Sequence, residues 1–373
     1  TLYHLIFIVK IKNNMTVCII GNNLTALTLS KALINCNIDV DLFYTKKNYK
    51  ISNTRTIGIT KNNIDFFNKD IINIEKLIWK LKKIEIFSEN LNKENLINFK
   101  ANKDQLFSIV RNCKLLRLLE KDLSKNKYFK SIFLNDKNLS FIKKYELIIN
   151  CEVFNKISEK YFSKKIIKKY NSLAYTTIIS HDKIINDVAF QIFTKRGPLA
   201  FLPISNRETS IVYSVHSSNN QMKDNIEHLI KDKNFKYKIR SIEKIKSFEL
   251  ESSNLRSYYH DNILAFGDLL HKVHPLAGQG FNMTIRDIKT LLEIIKKKLD
   301  LGLPLDHSVN LEFEKNSKYK NSIFLNGVDL IHELFNIDRK MNIGLVSKST
   351  KLISNFPSIN RMFIKIADEG ILP

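Results

Sequence analysis

Residues 267–282 read Gly267-Asp268-Leu269-Leu270-His271-Lys272-Val273-His274-Pro275-Leu276-Ala277-Gly278-Gln279-Gly280-Phe281-Asn282. An apolar run, Ile263 to Phe266, precedes them, and a helical pattern follows to about Lys298. A strand therefore ends in Gly-Asp, the chain passes a stiff proline and two glycines bracketing Gln279, and a helix begins. Gly278 and Gly280 tolerate positive φ and let a flat ring approach their backbone N–H groups. The Asp268 carboxylate can accept hydrogen bonds from sugar-alcohol hydroxyls. The helix starting near Gly280 aims its positive end at the ring, where it stabilises negative charge. A flavin suits that cradle, because its reduced form is an anion at N1 and the adjacent carbonyl.

Upstream, Val17 to Ile20 reads as a buried strand and is followed by Gly21-Asn22-Asn23-Leu24-Thr25-Ala26. A helical pattern runs through Leu27, Leu29 and Leu33 to about Asn35, and Ile38 to Tyr44 reads as a second strand. That is a β-α-β unit on the scale of a dinucleotide fold. Its G-x-G-x-x-G fingerprint is incomplete. Gly21 holds the first position, Asn23 the second and Ala26 the third, and Tyr44 stands where an acidic residue is expected. Asn accepts unusual backbone geometry, but its side chain crowds the approach of a pyrophosphate. With residues 267–282 downstream, the unit reads as the adenosine end of one FAD site.

The segment from Gly267 to Asn282 resembles the GDAAH-x-x-x-P-x-x-GQG-x-N segment of the class A flavin monooxygenases, the p-hydroxybenzoate hydroxylase-like group. Within them it is most similar to the FAD-dependent hydroxylases of ubiquinone biosynthesis. Leu269 and Leu270 replace small residues of that pattern. The resemblance continues at Arg55 and at Ile109-Val110-Arg111-Asn112, where Arg111 replaces Gln or Glu. At Leu147 to Val153, Glu152 replaces an Asp and Val153 a Gly. His181, Gly197-Pro198-Leu199-Ala200, Leu202-Pro203, Ser322 to Phe335 and Gly344-Leu345 extend the likeness to nearly the whole chain from Met15.

The resemblance implies FAD contacts at Gly21, Asn23, Ala26, Tyr44, Arg55, Arg111, Gly267, Asp268, Pro275, Gly278, Gln279, Gly280 and Asn282. It implies NAD(P)H as electron donor, addition of O2 at flavin C4a, and hydroxyl transfer from the hydroperoxide to a polyprenyl phenol. No catalytic acid or base stands out. The implied fold is α/β: a Rossmann-like FAD-binding domain with a parallel sheet, interlocked with an antiparallel-sheet substrate domain and C-terminal helices. The expected division is 15–165 and 255–305 for the FAD-binding domain, 166–254 for the substrate domain and 306–373 for the helices. Period-two runs at 174–181, 188–194, 199–204 and 209–216 read as the antiparallel strands. Apolar positions at Phe281, Ile285, Ile288, Leu292 and Ile295 mark the helix after the loop. Helical patterns follow from Asp306 to about Leu334 and from Ser354 to Ala367.

The chain has 373 residues, 44% of them hydrophobic, enough for a large core, with a formal net charge of +23. Its lysines are scattered and form no aromatic-interleaved stripe, so nucleic acid is not an expected partner. Diffuse positive charge suits an anionic lipid surface. An oily substrate points the same way, to a cytoplasmic protein peripheral to the inner membrane, alongside other quinone-biosynthesis proteins. Cys18, Cys36, Cys113 and Cys151 show no C-x-x-C spacing and read as free thiols of a reducing compartment. No apolar stretch reaches bilayer length. Met15 makes the better domain start, and residues 1–14 read as an upstream extension. His271 and His274 stand three apart without a third ligand, so no metal is expected. No hydrolase elbow or Walker loop occurs. Three other readings stay open: a degenerate relative acting as a binding or assembly subunit, a basic surface-binding protein on a flavoprotein scaffold, and a flavin-dependent reductase.

Overall fold

A computed structural model of the chain describes residues 15–45, 53–89, 95–100, 105, 107–134, 144–194, 196–216, 226–273 and 279–341. The first elements are β1 (Thr16–Ile20), α1 (Leu24–Asn35) and β2 (Asp39–Tyr44), the β-α-β unit that the apolar spacing predicts. Next come β3 (Thr56–Thr60), α2 (Lys61–Phe66), β4 (Trp79–Leu81), β5 (Lys83–Ser88), β6 (Asn95–Lys100) and β7 (Phe107–Arg111). α3 (Asn112–Leu123), β8 (Phe129–Phe133), β9 (Ile148–Asn150) and α4 (Lys156–Tyr161) complete the N-terminal region. The period-two segment becomes β10 (Lys165–His181), β11 (Val188–Thr194), β12 (Gly197–Pro203) and β13 (Glu208–His216). After α5 (Ile226–Lys233), β14 (Ile239–Ile242), β15 (Lys246–Leu255) and β16 (Tyr259–His260), the chain returns through β17 (Ile263–Ala265) and β18 (His271–Lys272). Two long helices follow, α6 (Gln279–Asp300) and α7 (His307–Met341).

The first sheet runs β16-β17-β9-β1-β2-β8, with β17, β9, β1, β2 and β8 all parallel. Parallel strands buried on both faces read as unbroken apolar runs, and Val17, Cys18, Ile19 and Ile20 are all buried. The chain crosses from β1 to β2 on one side and reaches β9 on the other, so the strand order reverses at β1. Open α/β sheets bind ligands at that reversal, beyond the carboxyl ends of the strands. Leu29 and Leu33 of α1, Leu115 and Leu119 of α3, and Ile285, Ile288 and Leu292 of α6 share one core with these strands. Those positions recur at helical spacing, which is why the sequence predicts the helices and their buried faces.

The larger sheet runs β18-β15-β10-β13-β12-β11-β5-β6, with β14 also on β10. Its alternating strands place Ile192, Leu199, Phe201, Ile211 and Tyr213 in a core with Ile226 and Ile230 of α5 and with Tyr237. A small third sheet, β3-β7-β4, lies beside it. Two contacts tie the third sheet to β13: Thr56 Oγ1 lies 2.8 Å from Ser210 Oγ, and Arg111 pairs with Glu208 at 2.6 Å. The helical pattern at 354–367 and Gly344-Leu345 fall outside the described residues.

His181, matched to the resembling family in the sequence, is a structural residue of this sheet. Buried, it meets the Asp182 carbonyl through Nδ1 at 2.8 Å and Thr209 Oγ1 through Nε2 at 3.0 Å, and lies tilted against the Tyr237 ring with centroids 4.4 Å apart. The Tyr237 hydroxyl donates to Asn186 Oδ1 at 3.0 Å, and burial raises its pKa from the ordinary 10.0 to about 12. A group whose folded pKa is raised keeps its stabilising contribution below the unfolded value and loses it as pH climbs through the folded one. Denaturation midpoints should therefore be insensitive to this group up to pH 10 and fall as pH approaches about 12. Tyr237→Phe, followed by urea unfolding across that range, should remove this part of the fall; an identical pH profile would contradict the assignment.

Candidate functional site

The carboxyl edge of the parallel sheet gathers the residues that the sequence singles out. Gly21 follows β1 directly with φ +124, a conformation that favours glycine. Its position leaves the backbone of Cys151 and Glu152, at the end of β9, within 3.4 Å of where a Cβ would stand. Gly267 follows β17 with φ +64, and a Cβ there would come within 2.7 Å of Thr25 Cγ2 on α1. Glycine thus lets three strand ends and the start of α1 crowd into one crevice. Asp268 sits in the short 3-10 turn after Gly267, exposed, and makes no hydrogen bond or ion pair among the described residues. Its carboxylate is available at the mouth of the crevice.

Asn23 is the exception within that crevice. Its backbone is extended, at φ −125 and ψ 173, and its Oδ1 accepts from Ala26 N at 3.0 Å, capping α1. Its Nδ2 donates to the Cys151 carbonyl at 2.8 Å, bridging β1–α1 to β9. Ala26, expected to contact the cofactor, is buried with its N–H already engaged by that cap. The turn after β9 is fixed in its own right. Asn150 Oδ1 accepts from Glu152 N at 3.1 Å and from Asn155 Nδ2 at 3.0 Å, while Ser158 Oγ donates to the Glu152 carbonyl at 2.6 Å.

Other predicted contacts take different roles. Tyr44 closes β2 and packs edge-on against Phe133 with ring centroids 5.6 Å apart. Arg55 is exposed, and its carbonyl accepts from Asn112 N at 3.0 Å. Arg111, expected at the cofactor, directs its guanidinium to Glu208 and to the Asn53 carbonyl, joining two sheets. Asn282 is likewise bonded to protein groups. It is fully buried; its Oδ1 accepts from Thr60 N at 3.0 Å and Asn63 Nδ2 at 2.9 Å, and its Nδ2 donates to the Gly58 carbonyl at 3.0 Å. These bonds clamp the first turn of α6 to β3 and α2. Gly280 lies in that turn, and a Cβ there would meet nothing within 4 Å. α6 begins at Gln279, as the sequence predicts within one residue. Pro275 and Gly278 fall outside the described residues, as does the Gln279 side chain.

A buried chain of polar groups, unmarked by any sequence pattern, follows Asp268. His271 Nε2 meets Asp287 Oδ2, both side chains almost wholly buried, and Asn321 Nδ2 donates to Asp287 Oδ1 at 3.0 Å. This network locks the strand after Asp268 to α6 and α7. No group of His, Cys, Asp and Glu among the described residues can hold a metal. All four cysteines are free, and burial pushes the thiols of Cys18 and Cys151 well above their ordinary range.

The family described as FAD binding domain matches residues 168–300. Over 95% of this chain and 99% of the other, the fold superposes on p-nitrophenol 4-monooxygenase PnpA of Pseudomonas putida with TM-score 0.76 at 9% identity. It superposes as well on HpxO of Klebsiella pneumoniae, solved with FAD and uric acid, with TM-score 0.75 at 12% identity over 96% and 98% of the chains. The family match lies within 168–300, and the fold over nearly the whole chain is that of these monooxygenase-type structures.

Over about half its length or less, the chain is similar in sequence to ubiquinone-biosynthesis hydroxylases. It is 26% identical over 222 residues to the ubiquinone biosynthesis monooxygenase COQ6 of Dictyostelium discoideum, covering 49% of this chain and 45% of that protein. It is 28% identical over 156 residues to 3-demethoxyubiquinol 3-hydroxylase of Escherichia coli, covering 40% of each. The matches thus span about half the length of these curated relatives, or less.

Among the described residues the crevice offers FAD an exposed, unpartnered carboxylate at Asp268 and open space at Gly280, with the strand ends brought close by Gly21 and Gly267. The Asn23 amide, bonded to the Cys151 carbonyl, lies across the approach to the start of α1.

Proposed function

We propose that this chain is an FAD-dependent monooxygenase that hydroxylates the ring of a polyprenyl phenol in ubiquinone biosynthesis, with NAD(P)H as electron donor and O2 as co-substrate. The observation that carries the reading is the exposed Asp268 carboxylate, which has no partner among the described residues and follows a positive-φ glycine at the carboxyl edge of the parallel sheet. The named relatives supply the reaction class and the substrate class.

In this reading Asp268 binds the sugar-alcohol hydroxyls of FAD, and Gly21 admits its phosphates to the N-terminus of α1. Asn282 orients the start of α6, so its positive end faces the ring system. When bound, FAD supplies the oxygen chemistry, and the protein supplies binding, orientation and exclusion of water. The large, mostly antiparallel sheet forms the wall against which the phenol lies. A charge of +23 draws the chain to the anionic membrane surface where so oily a substrate resides.

The test is a turnover assay on FAD-loaded protein with NAD(P)H, isotopically labelled O2 and a short-chain prenyl phenol in detergent. One labelled oxygen atom in the product ring is expected. Reduction of the flavin with no labelled product, with any of several prenyl phenols, would contradict the monooxygenase reading. A second reading, a non-catalytic assembly subunit, is favoured by the Asn23–Cys151 bridge across the phosphate approach.

A further inference from the structure

We infer that the Asn23 side chain is a built-in gate on the dinucleotide site, a competitor that FAD must displace from the Cys151 carbonyl before its pyrophosphate can settle. This rests on the FAD reading above and adds to it a residue that sets affinity and discriminates among flavins.

The gate is visible in three contacts. Asn23 Oδ1 already takes the Ala26 N–H at 3.0 Å, one of the donors that the start of α1 would offer an anion. Asn23 Nδ2 reaches across to the Cys151 carbonyl at 2.8 Å, joining the two strand ends between which the strand order reverses. That amide nitrogen also lies 3.4 Å from where a Cβ on Gly21 would be, so it fills the space that the glycine leaves bare. Its anchor is firm, because Asn150, Asn155 and Ser158 fix the turn that carries Cys151 and Glu152.

An amide serves as a gate where a carboxylate would be a barrier. Rotating the side chain away from Cys151 leaves a neutral donor that can turn toward phosphate oxygens. An Asp in its place would keep the helix cap but put negative charge against the pyrophosphate. Asn23 has no need of its own backbone geometry, since its φ of −125 is open to any residue. Substitution therefore alters the side chain without straining the turn.

The experiment measures dissociation constants of FAD and riboflavin, by quenching of flavin fluorescence, for the wild type, Asn23→Gly and Asn23→Asp. Riboflavin has no phosphate and so reports on the ring site alone. Asn23→Gly should bind FAD about tenfold more tightly, equivalent to about 1.4 kcal/mol. Asn23→Asp should bind FAD at least tenfold more weakly, and riboflavin should change less than twofold in either variant. Thermal unfolding of both variants confirms that they are folded. If FAD binds wild type and Asn23→Gly equally, or the glycine variant more weakly, Asn23 is no gate and the proposal is overturned while the FAD reading survives. If neither flavin binds any of the three proteins, the FAD reading falls and the gate with it.

Discussion

Asp268→Ala should lower the affinity for FAD by one to two orders of magnitude while leaving the fold intact. The carboxylate is exposed and has no partner among the described residues, so its removal orphans nothing in the protein. A charge-assisted hydrogen bond contributes about 1.5–3 kcal/mol net, which corresponds to roughly 10- to 150-fold in a dissociation constant. Asp268→Asn keeps one acceptor oxygen and loses the charge, so its affinity should fall between wild type and alanine. Equilibrium dialysis against FAD, with circular dichroism to confirm folding, measures both. Equal occupancy in wild type and Asp268→Ala would remove Asp268 from the site.

Asp287→Ala should cause the largest loss of stability. The side chains of Asp287 and His271 are both almost wholly buried, and Asn321 completes the network. Alanine would leave the His271 ring nitrogen and the Asn321 amide buried without this partner. Each orphaned group costs about 1–3 kcal/mol, so a total of about 2–6 kcal/mol is expected. The urea midpoint should fall at unchanged slope. Asp287→Asn retains an oxygen for Asn321 and should lose less. Because β18 carries His271 only three residues beyond Asp268, the alanine variant should also hold flavin more weakly. A midpoint within experimental error of wild type would show that the pair carries no stability.

The parallel sheet was legible because its strands are short apolar runs followed by turn residues. The four antiparallel strands were legible because one face is apolar, and their observed bounds fall within a few residues of the period-two pattern, apart from β10. β10 begins at Lys165, well before the alternation at Ala174, because its first half pairs with β15. That partner and the small β3-β7-β4 sheet carry little periodic signal and went unread.

At the site, glycines and Asp268 were readable because backbone conformation and lone charges leave marks at single positions. The amides' protein partners are not legible, since nothing local distinguishes an Asn that binds a ligand from one that binds protein. Asn282 meets Thr60 across 222 positions of sequence, and His271 meets Asp287 in a buried pair whose second member looks like any helix residue. Arg111 likewise finds Glu208 across 97 positions. For Asn23 the residue itself was informative, because an amide stands where a glycine is expected. The bond to Cys151 that makes it a bridge needed the fold.

The central claim is that FAD occupies the crevice between Gly21 and Asp268. Titration of the purified wild-type protein with FAD, followed by flavin absorbance and fluorescence, tests it directly. Saturable binding of one FAD per chain, competed by excess ADP-containing dinucleotide fragments and weakened in Asp268→Ala, is the expected result. Flavin that remains free in solution at every protein concentration, with unperturbed spectra, would contradict the account.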